Sequence, residues 1–458
     1  MTSPERNERK KSVDPDRKQS VESESAVLVG VQLSDDTYHG DPLDELSGLV
    51  ETAGATIVGR MTQKRQAPVA GTYIGHGKVD ELKFLVDATE ADVVIFDNEL
   101  SPAQMRNLEE ALKVKVLDRT EVILDIFSTR AQTHESRLAV ELAQLEYSLP
   151  RLKGMWKHLS RMKMGVGMRG PGEKQLETDR RLAEKRITDL RRDLEKIQKR
   201  KEREVAGRRD RMTVSLVGYT NAGKSTLMNA LTDAHVLAED KLFATLDTRT
   251  RRWQLPGWGP VLLSDTVGFI RNLPHNLVAS FKATLEEARQ ADLLIHVADA
   301  SSPVALDQIK AVYEVLRELG IEEKDTLLAL NKVDNIDDPS RLEAIRRLYP
   351  SAVPISARSG DGLPRLAAAV SDALSQDFLD LEIRFDVSNG RLLAYLAKFG
   401  EVISRSFTGD LATIHCRISR KHLGALREDP GVEVRAYDGV APLPRREADA
   451  DGAVGEVA

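Results

Sequence analysis

The stretch "VSLVGYTNAGKSTLMNAL" constrains this chain more than any other. An apolar run leads into Gly218-Tyr219-Thr220-Asn221-Ala222-Gly223-Lys224-Ser225, and a helical pattern follows from Thr226. Strand, loop and helix in this order match G-x-x-x-x-G-K-[ST] with the flanks that motif requires. Successive N–H groups of such a loop point inward around phosphates, and the following helix adds its positive end. Lys224 is placed to reach the β and γ phosphates, and the Ser225 hydroxyl to ligate Mg²⁺.

Three later stretches select the nucleotide. "VLLSDTVG" puts Asp265 at the end of an apolar strand and Gly268 three residues on, as expected for a carboxylate that holds Mg²⁺ through water and a glycine whose N–H meets the γ-phosphate. "LLALNKVD" sets Asn331, Lys332 and Asp334 at another strand end. A carboxylate there accepts both guanine N1–H and N2–H, a pair of donors that adenine lacks. "VPISARSG" supplies Ser356 and Ala357 for backbone contact with guanine O6. Each stretch alone is weak. Their order and strand-end placement together specify a P-loop GTPase with GTP as substrate.

Around this domain, 458 residues leave room for more than one core. A single cysteine, Cys416, excludes an intramolecular disulfide framework. No apolar run is long enough for a membrane span, and the lone cysteine fits a reducing cytosol; a cytoplasmic location, a monomer and at most a loose membrane association are the expectations. Residues 1–24 read as a disordered tail. In residues 25–133, strand-like runs (Val27 to Leu33, Ala55 to Gly59, Val93 to Phe96, Val114 to Leu117) alternate with helical patterns around Asp44–Thr52, Val79–Ala88 and Ala103–Leu112. That is the pattern of a small parallel α/β domain. Gly71, Gly75 and Gly77 precede a helix there, either as a turn or as a phosphate-holding loop.

Residues 134–209 read as a long antiparallel helical hairpin. Leu138, Leu142, Leu145 and Leu149 answer Leu176, Ala183, Ile187, Leu190, Leu194 and Ile197, with Arg180 interrupting the seam. Between them a basic, glycine-rich connection of about 20 residues is expected. Residues 151–210 hold twenty Lys/Arg against ten Asp/Glu, in a chain whose formal net charge is −6. Arg161, Lys163, Arg169 and Lys174 in the connection are candidate RNA contacts, with Trp156, Met162, Met164 and Met168 available for stacking. A solvated helix face is the plainer account of the same charge.

"YIGHGKVDEL", "DRTEVILDIFSTRAQTHESRLAVELAQLEYSLPRL" and "RGPGEKQLETDRR" together with the GTPase motifs resemble the HflX family of ribosome-associated P-loop GTPases, over about Ala26 to Ser375. The resemblance implies binding to the ribosome, chiefly to its large subunit, and dissociation of stalled or hibernating ribosomes under stress. "FATLD" resembles the family's switch stretch, which includes Phe243 and makes Thr245 the threonine that closes over Mg²⁺. The chain departs from the family by reading "DTRTR" where a proline is usual, so Thr248 and Thr250 stay open as substitutes. Lys174 replaces a small polar residue, and "MKMG" a glycine-rich run. Asn221 stands where related GTPases bind K⁺. Phe269 follows Gly268 where Ras-like enzymes carry a water-orienting glutamine, so slow intrinsic hydrolysis is expected, stimulated by the ribosome.

The GTPase domain is expected over 210–376, its last helix around Leu363–Leu374. Residues 377–446 read as strand, helix, two strands about a turn at Thr408-Gly409-Asp410, helix and a final strand, a small α+β module of split βαβ type. His415 and Cys416 read as ordinary strand residues. Residues 447–458 read as an acidic, disordered tail. An alternative function is a GTP-gated regulatory protein acting on a membrane or protease partner. The basic hairpin favours the ribosome, and Asp334 disfavours an ATPase.

Overall fold

The computed structural model describes residues 21–34, 40–162, 171–207, 212–232, 242–256, 259–271, 287–318, 320–321, 326–376, 378–419, 422–427, 429 and 431–437. The chain divides into two compact units, Met1–Ser371 and Asp372–Ala458.

The first unit opens with β1 (Ser25–Leu33), α1 (Asp44–Thr52), β2 (Thr56–Arg65), α2 (His76–Thr89), β3 (Val93–Phe96), α3 (Pro102–Leu112), β4 (Lys115–Asp118) and α4 (Arg119–Arg130). All pairings in this sheet are parallel, in the order β2-β1-β3-β4. Strands β1 and β3 are continuous apolar runs because helices cover both faces of the sheet. The second strand reaches Arg65, six residues past the sequence expectation, since its outer half is polar and half exposed. Helix α3 starts at a reciprocal Ser101–Gln104 capping box with Pro102 in its first turn. The Asp118 carboxylate caps α4. Gly75 caps α2 with its own N–H bonded to Gln63 Oε1 at 3.2 Å, which makes this glycine stretch a turn.

Two long helices follow, α5 (His134–Met162) and α6 (Pro171–Gly207). Leu138 and Leu142 of α5 and Ile187, Leu190 and Leu194 of α6 are buried. Arg186 reaches Glu141 at 2.6 Å, Arg191 reaches Glu146 at 2.7 Å and Lys201 reaches Glu135 at 2.8 Å. The expected 20-residue connection is corrected: helix continues through Met162 and resumes at Pro171, a residue suited to a helix start. Arg161 and Lys174 therefore stand on helices, while Lys163 and Arg169 lie outside the described residues.

The rest of this unit comprises β5 (Thr213–Gly218), α7 (Lys224–Thr232), β6 (Arg249–Leu255), β7 (Gly259–Asp265), β8 (Leu293–Asp299), α8 (Ala305–Glu318), β9 (Thr326–Asn331), α9 (Pro339–Leu348), β10 (Val353–Pro354) and most of α10 (Leu363–Gln376), which runs past the boundary at Ser371. The sheet order is β10-β9-β8-β5-β7-β6, with only the β6–β7 pair antiparallel. Strand β5 is central, between β7 and β8, so the loop after Gly218 opens at the carboxyl end of the sheet, where α/β folds bind ligands.

The second unit holds β11 (Phe378–Asp386), α11 (Gly390–Phe399), β12 (Gly400–Thr408), β13 (Leu411–Ser419), α12 (Leu423–Arg427) and β14 (Glu433–Ala436). Its antiparallel sheet runs β12-β13-β11-β14, so β11 and β12 flank β13, the split βαβ arrangement expected. Cys416 is buried, and His415 pairs with Asp380 at 2.7 Å while stacking on Tyr437.

Candidate functional site

The loop between β5 and α7 is shaped by backbone conformations that few side chains permit. Asn221 adopts φ +61 and Gly223 φ +92. A Cβ on Gly223 would collide with the Asn331 amide, so glycine is required twice over, by conformation and by space. Asn331 itself is 2% exposed. It donates from Nδ2 to Ala222 O at 2.8 Å and accepts from Ala357 N at 2.9 Å, tying the phosphate loop to the loop after β10.

Lys224 is buried, and burial lowers its ammonium to about 8, with the nearby Asp265 carboxylate opposing the shift. Its Nζ donates to Gly218 O at 3.1 Å and Tyr219 O at 2.9 Å. Ser225, Thr245 and Asp265 converge beside it. Ser225 Oγ donates to Asp265 Oδ2 at 2.6 Å, Thr245 Oγ1 lies 3.2 Å from the same oxygen, and the two hydroxyls are 2.9 Å apart. Asp265 is fully buried, burial raises its carboxyl, and its Oδ1 is left without a hydrogen-bond partner. Two hydroxyls and a carboxylate with an orphaned oxygen are a hard donor set, fitting Mg²⁺ held partly through water. Thr248 and Thr250 are not at this centre: Thr248 bonds Glu287 at 3.1 Å, and Thr250 pairs with Ser264 in the sheet.

A cavity of about 50 Å³ is lined by Thr220, Asn221, Gly223, Lys224, Ser225, Thr226, Phe243, Ala244, Thr245, Thr266 and Gly268. Gly268 is pressed against it, since a Cβ there would come within 2.9 Å of Thr220 Cα and 3.1 Å of Lys224 Nζ. Phe269 is buried, and its backbone exchanges bonds with the phosphate loop, N–H to Gly218 O at 3.0 Å and O from Thr220 N at 2.7 Å. The residues expected to read the base lie beyond this cavity. Asp334 is exposed in a short 3₁₀ turn, and Lys332 pairs with Asp299 at 2.8 Å. Ser356 N is engaged by Asp361 O at 2.9 Å, as Ala357 N is by Asn331, so neither N–H is free for O6 in this arrangement.

Around the pocket, two residues named from the motifs, Tyr219 and Phe243, meet groups that motif reading missed. Tyr219 Oη accepts from Arg271 N at 2.7 Å and donates to the Glu45 carboxylate of α1. Arg119, 4% exposed, pairs with Glu45 at 2.9 Å and Asp97 at 3.0 Å and donates to Arg271 O at 2.7 Å. Burial pushes Tyr219 well above its ordinary range, with Glu45 adding to the shift, so the phenol stays a donor. Phe243, at φ +54, meets Phe127 of α4 edge to face at 4.7 Å. Glu45, Asp97, Arg119 and Arg271 belong to no GTPase motif, so only the fold shows that they gather around Tyr219 of the phosphate loop.

Comparison with known proteins shows what the chain is similar to. Residues 40–128 match the family described as GTP-binding GTPase N-terminal, residues 130–208 the GTP-binding GTPase middle region, and residues 213–332 the 50S ribosome-binding GTPase family. The chain is 44% identical to GTPase HflX of Lacrimispora saccharolytica over 89% of its own length and 96% of that protein. It is 48% identical to GTPase HflX of Escherichia coli over 81% and 87%. A GTP-binding protein from the archaeon Sulfolobus solfataricus, solved with GDP, is 25% identical and aligns over 77% of this chain and 99% of its own, with a TM-score of 0.42. On its own sequence and these relatives, the chain belongs to the HflX family of GTPases.

Proposed function

We propose that the chain binds GTP in this pocket, hydrolyses it slowly alone and faster on the ribosome, and uses the GTP-bound state to bind the large subunit and separate stalled or hibernating ribosomes in the cytoplasm. The convergence of Ser225, Thr245 and Asp265 beside buried Lys224 carries the nucleotide half of this reading. The ribosomal half is supported by the family description above and by the basic excess of residues 151–210.

Ser225 and Thr245 would hold Mg²⁺ directly and Asp265 through water; when bound, the ion offsets charge on the phosphate oxygens. The chain supplies the rest. Lys224 exchanges its two carbonyl partners for phosphate oxygens, and the N–H groups of Asn221 and of Gly223 to Ser225 face the phosphates, while Ala222 N bonds Tyr219 O at 3.3 Å. Thr220 N is already committed to Phe269 O. Asp334 accepts from the guanine edge. Phe269 has no polar atom beyond its backbone to orient water, which accounts for slow turnover without the ribosome.

Sedimentation of intact ribosomes with the purified protein and GTP, a non-hydrolysable analogue or GDP tests this reading. Subunits should separate with GTP and with the analogue, but not with GDP. Replacement of residues 163–169 by glycine should abolish separation and leave GTP hydrolysis by the isolated protein intact. Ribosomes that stay joined, with no protein co-sedimenting in any nucleotide state, would remove the ribosomal half.

A further inference from the structure

The stretch from Phe243 to Asp247 faces two ways. On one side Thr245 reaches Ser225 Oγ at 2.9 Å and Asp265 Oδ2 at 3.2 Å. On the other, two residues later, Asp247 accepts from Gln132 N at 3.1 Å and Thr133 N at 3.2 Å through Oδ2, and from the Thr133 hydroxyl at 2.7 Å through Oδ1. Thr133 in turn accepts from Ser136 N at 3.1 Å, so it is the cap on which α5 begins at His134. Between these two anchors Leu246 is 2% exposed, and ahead of them Phe243 packs on Phe127, which leaves the stretch little freedom to move at one end alone.

We propose that Asp247 is a positioning residue that links closure of Thr245 over the nucleotide to the root of the α5–α6 hairpin. A carboxylate that fixes two consecutive N–H groups ahead of a helix stabilises its first turn. Any displacement of Thr245 on nucleotide exchange must stretch or tighten these bonds, because only Leu246 intervenes. Coupling of this kind is reciprocal: whatever grips the hairpin also biases the switch stretch. The proposal rests on the reading that the pocket binds GTP.

Hydrogen–deuterium exchange on the full chain tests it. With a non-hydrolysable GTP analogue and Mg²⁺, wild-type peptides spanning residues 132–140 should exchange about fivefold or more slowly than with GDP. In Asp247→Ala that difference should disappear, while nucleotide still protects residues 218–226. Equal exchange of 132–140 in both states of the wild type, or a difference that survives in Asp247→Ala, overturns the link and leaves GTP binding untouched. If no nucleotide protects 218–226 in the wild type, GTP binding and the link fail together. Should Asp247→Ala itself lose protection of 218–226, Thr133→Val removes the hydroxyl bond from the other partner and is held to the same criterion.

Discussion

Lys224 sits in the pocket as an ammonium held down to about 8 from an ordinary 10.5, mainly by burial. Phosphate beside it favours the charged form, so binding raises this value and takes up a proton wherever the free protein is already neutral. Nucleotide affinity should therefore be level below about pH 8 and fall by up to about tenfold per unit above it. A fluorescent GTP analogue titrated between about pH 7 and pH 9.5 measures this; a level profile would mean that the ammonium stays charged without nucleotide. Asn221 leads to a second expectation from its place in the loop. Turnover should be faster in KCl than in NaCl, and equal rates would remove K⁺ from the site. At this scale much was legible in the sequence, because phosphate chemistry dictates residue types at fixed spacing. The choice of Thr245 came from the family's switch stretch and left Thr248 and Thr250 open, since a switch segment has no internal spacing rule; of the three, the fold brings Thr245 Oγ1 to Asp265.

Among the elements, the corner where β4 passes into α4 joins more parts than any motif suggests. Asp118 is fully buried and accepts from Leu100 N at 3.2 Å and Arg151 at 2.9 Å, as well as from Tyr147 Oη. Its neighbour Arg119 holds α1, the end of β3 and Arg271 together. Removing Arg119 leaves Glu45 and Asp97 facing each other with one buried cation fewer, and uncompensated buried charge is costly. Arg119→Ala should lower stability by about 3–5 kcal/mol, read as a fall in the midpoint of denaturant unfolding. A loss under 1 kcal/mol, on the order of a surface pair, would mean that water reaches the cluster. Helix α4 also marks the limit of periodicity as a guide. From Arg119 to Phe127 all but Glu121 are buried, so no polar face alternates with an apolar one. The hairpin helices outran expectation for the opposite reason: glycine and methionine between Arg161 and Glu177 read as loop, yet the described helices extend to Met162 and from Pro171.

For the molecule as a whole, the order of segments was legible because each change of period marks a change of element. The contacts that join them were not, because Glu45, Asp97, Arg119, Tyr219 and Arg271 are spread over more than two hundred positions and meet only in the folded chain. The division into two units leads to a further expectation. A chain ending after Gln376, the last residue of α10, keeps every residue that lines the pocket. It should fold cooperatively and bind nucleotide within about twofold of the full chain, as independent units allow. Circular dichroism melting and equilibrium titration of that fragment measure both, and loss of binding would make residues 377–458 part of the nucleotide site.

Helix α6 has one more property, which is mechanical. Its 37 residues span about 55 Å, and it ends at Gly207, six positions before β5, the strand that terminates in Gly218. The α5–α6 hairpin is thus a rod with two roots, one beside the switch stretch and one leading along the chain into the strand that carries the phosphate loop. Tension applied at its far end has a covalent route to the nucleotide that bypasses the first sheet altogether.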